Sequence, residues 1–135
     1  MFDWTDARPS AIENPLLVMD ARELIHANWV LGAVNCIATG TVESDRKQVQ
    51  VSWDFAMGFQ ILGPESNCLG ELKLGIFPTR QLAWKIENSP WIRQWSQYEG
   101  VFETWEKDIS HWALFTEDAS VHVIAVSAPV IMEQA

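Results

Sequence analysis

The segment from Gln48 to Leu62 carries the clearest structural pattern in the chain. Its even positions are mostly polar or small, and its odd positions are large and apolar: Val49, Val51, Trp53, Phe55, Met57, Phe59 and Ile61. Successive side chains of a β-strand point to opposite faces, so this alternation predicts a strand with one buried face. Because the run is long for one strand, we expect a bend or bulge near Gly58.

A second alternating run, from Val30 to Val42, precedes this segment, and the polar residues 44–47 separate the two. Two such runs joined by a polar turn are typical of an antiparallel hairpin. We therefore predict a long hairpin over residues 30–43 and 48–62, which forms the backbone of a sheet.

Two segments carry helix signals. Ser89 and Pro90 suit an N-cap and a first helical position, and the apolar residues that follow recur at helical spacing until Gly100, which predicts a helix over 90–99. Asp20 and Glu23 have the spacing of a capping box, which predicts a short helix over 20–27. The predicted fold class is therefore α+β: an antiparallel sheet of five to seven strands with one or two helices against one face. A mostly-β sandwich or barrel is the alternative.

Length and charge limit the possible functions. The chain has 135 residues, the length of one domain, and we interpret residues 1–135 as a single domain. A net charge of −9 argues against binding to nucleic acid or to an anionic membrane. The sequence shows neither a secretory signal nor an apolar run long enough to span a bilayer, so we expect a cytoplasmic protein with reduced thiols at Cys36 and Cys68.

No phosphate loop, dinucleotide fingerprint, nucleophile elbow or zinc-binding helix occurs in the sequence. We therefore expect no cofactor and no metal, name no catalytic residue, and regard an enzyme as the less favoured class.

Two histidines form a possible polar pair. The runs 111–115 and 121–126 flank the turn residues Glu117 and Asp118, which predicts a second hairpin. In that register His122 lies opposite Ala113, and His111 is one diagonal step away on the same face. The pair could share a metal or a proton, but no third ligand is placed beside it, and two ordinary half-buried histidines are the simpler interpretation.

The leading functional hypothesis is a non-catalytic acidic domain, of inhibitor or immunity type, that masks a basic surface on a partner protein. Charge complementarity and an excess of tryptophan favour it. Its candidate contact residues lie in one acidic segment: Glu99, Glu103, Trp105, Glu106 and Asp108.

The alternative is a domain that binds a small apolar ligand in an aromatic-lined cavity. The large residues of the first hairpin would line it: Trp53, Phe55, Met57 and Phe59. A homodimer is a further possibility, because a long hairpin in a small sheet leaves exposed edges.

Overall fold

The computed structural model describes residues 6–63, 80–96 and 109–134. Within these ranges the chain forms nine strands and one short α-helix. The elements, in chain order, are β1 (Arg8–Ala11), β2 (Asp20–Val30), β3 (Ala33–Val42), β4 (Asp45–Trp53), β5 (Gly58–Leu62), β6 (Ala83–Glu87), α1 (Pro90–Ser96), β7 (Ser110–Phe115), β8 (Ser120–Ala125) and β9 (Val130–Gln134). A single 3-10 turn, Pro15–Leu17, separates β1 from β2.

The strands form two antiparallel sheets. One has five strands in the order β1-β6-β7-β8-β5, and the other has four in the order β2-β3-β4-β9. Inward-facing apolar residues of both sheets belong to one buried cluster, so the two sheets pack face to face. From the four-stranded sheet come Val34, Cys36, Ala38, Val49 and Val51, and from the five-stranded sheet Trp112, Leu114, Val121, Val123 and Ala125.

The α+β prediction is wrong, because the described chain is mostly β and holds a single lone helix. Residues 20–27 are not helical but belong to β2. The pairing of β2 with β3 shifts register between Asp20 and Glu23 and again between Leu24 and His26, and Ala21 has a φ of 47°. These irregularities interrupt the two-residue period of the strand, so the segment loses the alternation by which a strand is recognised.

The segment 48–62 is not one bent strand. It comprises the end of β4 and all of β5, which belong to opposite sheets, and the chain crosses between the sheets over residues 54–57. The first hairpin therefore consists of β3 and β4, from Ala33 to Trp53.

The helix α1 begins where the sequence predicts. Pro90 is its first residue, and the Ser89 Oγ accepts a hydrogen bond from the Ile92 N–H at 3.4 Å, as an N-cap does. Residues 97–99 of the predicted helix lie outside the described residues. In the described part of the chain, no helix is long and apolar enough to cross a membrane.

Candidate functional site

Two places in the structure have unusual chemistry. One is a buried chain of four polar side chains on the outer face of the five-stranded sheet. The other is an exposed apolar tip at one end of the sandwich.

The buried chain is built on the hairpin of β7 and β8. His122 pairs with Ala113 across the two strands, and His111 pairs with Ile124, as the predicted register requires. The two rings lie side by side, and His111 Nε2 is 2.8 Å from His122 Nδ1. The structure thus brings the two sequence-predicted histidines into direct hydrogen-bond contact.

A serine extends this contact at each end. The Ser89 Oγ lies 2.7 Å from His111 Nδ1, and the Ser120 Oγ lies 3.0 Å from His122 Nε2. All four side chains are at most 3% exposed. In the sequence Ser89 is recognisable only as a helix N-cap, and no local pattern places Ser89 or Ser120 in a buried network.

Aromatic rings surround the histidines. Trp91, in the first turn of α1, meets His111 edge-on with ring centroids 5.5 Å apart and meets His122 at 6.5 Å. Phe115 meets His122 at 5.9 Å. This environment removes water from both imidazoles.

Burial therefore favours the neutral form of each histidine. Desolvation lowers the pKa of His122 to about 4. Desolvation also lowers the pKa of His111 well below its ordinary value, and the neighbouring His122 lowers it further. Two neutral rings satisfy all three hydrogen bonds only if the donors run in one direction, from Ser89 to Ser120 or the reverse.

This buried row of four hydrogen-bonded side chains has a structural role. A serine beside a histidine has the parts of a nucleophile and its base, but a substrate must reach the reacting oxygen. Here both serines and both rings are inside the protein. The chain instead ties three elements together: the start of α1, β7 and β8. In the described ranges, moreover, no three His, Cys, Asp or Glu side chains come together as metal ligands.

The apolar tip is formed by the β2–β3 turn and the crossover that follows β4. We define it by four exposed residues: Trp29, Val30, Leu31 and Phe55. Leu31 is 100% exposed and Phe55 is 64% exposed. Large apolar side chains that are exposed together at one turn are candidates for a contact surface.

The backbone at the tip explains the sequence Leu31-Gly32. Both residues have positive φ, 52° and 86°, the pattern of a type I′ turn between Val30 and Ala33. A Cβ on Gly32 would lie 2.8 Å from the Phe55 ring, so only glycine fits beneath that ring. The Ala56 N–H also donates to the Gly32 carbonyl at 2.6 Å, which fixes the crossover against the turn.

Leu31 has no such explanation. A type I′ turn favours Asn, Asp or Gly at this position, because an L-residue with a large side chain is strained at positive φ. Burial does not stabilise its side chain either, because that side chain is fully exposed. The sequence does carry a signal for this turn, because Leu31-Gly32 stands where a hairpin favours Asn-Gly.

The four residues predicted to line a ligand cavity do not come together as one set. Trp53 is 2% exposed within the main core, whereas Phe55 projects outward at the tip. Met57 packs against a second small cluster with Trp91, and Phe59 packs against the main core. Two surface clefts among the described residues are lined by other side chains, not by these four.

The five residues predicted to contact a basic partner, Glu99, Glu103, Trp105, Glu106 and Asp108, lie outside the described residues.

The fold and its two sites place the chain among small mostly-β proteins with two packed antiparallel sheets. Comparison with protein-family models, with curated proteins and with solved structures gives no match.

Proposed function

We propose that this chain is a non-catalytic protein-binding domain whose apolar tip inserts into an apolar pocket on a basic partner protein. The observation that carries the proposal is Leu31, which is fully exposed and held at positive φ. Its backbone conformation costs folding free energy, and its side chain gains none, because the side chain is as exposed to water in the folded protein as in the unfolded chain. Contact with a partner would bury this side chain, and burial of an apolar side chain is favourable.

The neighbouring residues suit the same role. Large aromatic side chains are enriched at the centres of protein interfaces, and Trp29 and Phe55 flank Leu31. Both are held by the fold, Phe55 over Gly32 and Trp29 against Phe59 with centroids 6.2 Å apart. Pre-positioned side chains lose little conformational entropy on binding.

The charge of the chain supports a basic partner. Asp54, next to Phe55, is exposed, and the whole chain carries −9. Complementary charge around an apolar contact raises the association rate and rejects acidic competitors. We expect binding to weaken as salt increases.

The test is an affinity pull-down from host lysate with the wild type, Leu31→Asn and Glu43→Asn. Asn is well accommodated in a type I′ turn, so Leu31→Asn keeps the hairpin and removes only the apolar side chain. Glu43 is the matched control, because it has a φ of 51° in the turn between β3 and β4.

The proposal expects one stoichiometric partner that the wild type and Glu43→Asn retain, that Leu31→Asn loses, and that high salt releases. A partner retained equally by Leu31→Asn would refute the role of the tip. No stoichiometric partner at low or high salt would count against the function itself.

A further inference from the structure

The outer face of the four-stranded sheet is uncharged at its centre. Cross-strand partners lie on the same face of a sheet, so the register of β3, β4 and β9 identifies the outward-facing rows. We call six of these residues the neutral face: Asn35, Ile37, Gln50, Ser52, Val130 and Met132. They contain amides, a hydroxyl and aliphatic groups but no Asp, Glu, Lys or Arg.

This composition is unexpected for a water-facing surface of this chain. The protein carries 18 acidic and 9 basic residues, and charged side chains normally cover an exposed sheet face. On the neutral face, by contrast, Met132 and Val130 are 53% and 51% exposed.

The amides already form a network across the strands. The Gln134 Nε2 donates to Gln50 Oε1 at 2.7 Å, and the Gln50 Nε2 donates to Asn35 Oδ1 at 3.2 Å. On β2, which adjoins β3, the Oδ1 of Asn28 is buried and has no hydrogen-bond partner among the described residues. Hydrogen bonds therefore hold the amides of Gln134, Gln50 and Asn35 in fixed orientations, so these groups are not free to reorient in water.

We infer that the neutral face is the interface of a homodimer. A second copy of this chain also carries −9, so two copies repel each other except where an uncharged surface is presented. Amides are self-complementary, because each has both donors and an acceptor, and a two-fold axis places equal groups opposite one another. A basic partner would gain nothing from a surface without acids.

The size of the face sets the strength of the dimer. The three strands that carry the neutral face, about 4.8 Å apart and about five paired residues long, span roughly 14 Å by 17 Å. That is well below the ~800 Å² per partner of a standard stable interface. We therefore expect a weak dimer, with a dissociation constant in the micromolar range or above.

The test is sedimentation velocity of the full chain from about 5 µM to about 500 µM, a range chosen for a weak dimer. Met132→Glu places a carboxylate on the neutral face, on the edge strand β9 opposite Gln50, and does so in both copies. Val126→Glu is the matched control, because it adds the same charge at a 38% exposed residue just after β8, in the other sheet. Far-UV circular dichroism and the unfolding midpoint verify that both variants fold.

The wild type is expected to sediment as a monomer of 15.3 kDa at low concentration and to approach twice that mass at high concentration. Met132→Glu should weaken association by about tenfold or more, because each copy then takes an unpaired carboxylate into the contact, and Val126→Glu should behave as the wild type. Raised salt should strengthen the dimer by screening the repulsion between copies.

Three results would overturn the inference. They are a wild type that stays monomeric over the whole range, a folded Met132→Glu that associates as strongly as the wild type, and loss of the dimer in Leu31→Asn. The last result would assign self-association to the apolar tip. The salt effect is opposite to that expected for the basic partner, so this proposal and the proposed function fail in distinguishable ways.

Discussion

Mild acid should destabilise this protein, because its two buried histidines cannot take up protons without leaving the core. His122 has a folded-state pKa of about 4, lowered by burial, whereas an ordinary histidine titrates near 6.5. Between these two values the unfolded chain binds more protons than the folded chain. The free energy of unfolding therefore falls as the pH drops below 6.5, and the contribution of His122 is fully lost below pH 4.

The expected loss of unfolding free energy is large relative to the stability of a small domain. Each unit of pKa corresponds to about 1.36 kcal/mol, so the shift of His122 corresponds to roughly 3 kcal/mol. The pKa of His111 is lowered in the same direction, by burial first and by His122 second, and so adds to the loss. The total free energy of unfolding of a domain of this size is ~5–15 kcal/mol.

Asp118, a carboxylate with a lowered pKa, does not obscure this range of pH. Burial alone would raise the pKa of Asp118, but hydrogen bonds from the Leu24 N–H and the Thr116 hydroxyl lower it overall. The stability that this carboxylate contributes is present above its ordinary pKa of 3.8 and is lost only as the pH falls further. Its contribution is thus lost below the range of pH in which the two histidines act.

The assay is urea denaturation followed by tryptophan fluorescence, at intervals from pH 7 to pH 4.5. His122→Gln should be less stable at pH 7, since it disrupts buried hydrogen bonds, but should lose less stability as the pH falls. His26→Gln is the control, because His26 is exposed. A wild-type stability that is flat over this range, or a His122→Gln slope equal to that of the wild type, would refute the reasoning.

Three further outcomes follow from the structure. Leu31→Asn and Glu43→Asn should each raise the free energy of unfolding by about 1 kcal/mol, since Asn tolerates positive φ, and a lower free energy of unfolding in urea denaturation would contradict the turn geometry. Cys36 is fully buried and burial raises its pKa to about 12, so in a Cys68→Ser variant the thiol should react with a disulfide reagent only after unfolding; rapid native-state labelling would show otherwise. Gly40→Ala should cost ~1–3 kcal/mol, because its Cβ would lie 2.7 Å from the Cβ of buried Met19, and an unchanged urea midpoint would exclude that clash.

The histidine pair shows what local sequence can predict. A polar turn at Glu117–Asp118 fixes the pairing of the strands on either side, and the register then places His111 and His122 on one face. The partners Ser89 and Trp91 come from the start of α1, which is distant from that hairpin in sequence. Their packing on it depends on the tertiary fold, so no local pattern indicates it.

The wrong predictions have equally specific causes. Alternation from Gln48 to Leu62 continues through the crossover, but it records only which face of a strand is buried and not which sheet the strand joins. In β2, irregular pairing near Asp20 and Leu24 breaks the alternation, so a capping-box spacing could be mistaken for a helix start. Both errors favoured a helix-covered single sheet over two packed sheets.

The strand order also has a consequence for how the nascent chain emerges from the ribosome. The outer neighbour of β4 is β9, and β1 pairs with β6 rather than with any strand near it in sequence. At about 5–20 residues per second, β9 is synthesised roughly 4–15 s after β4. During that interval one edge of β4 lacks its native partner, so newly made chains should depend on chaperones more than mature ones do.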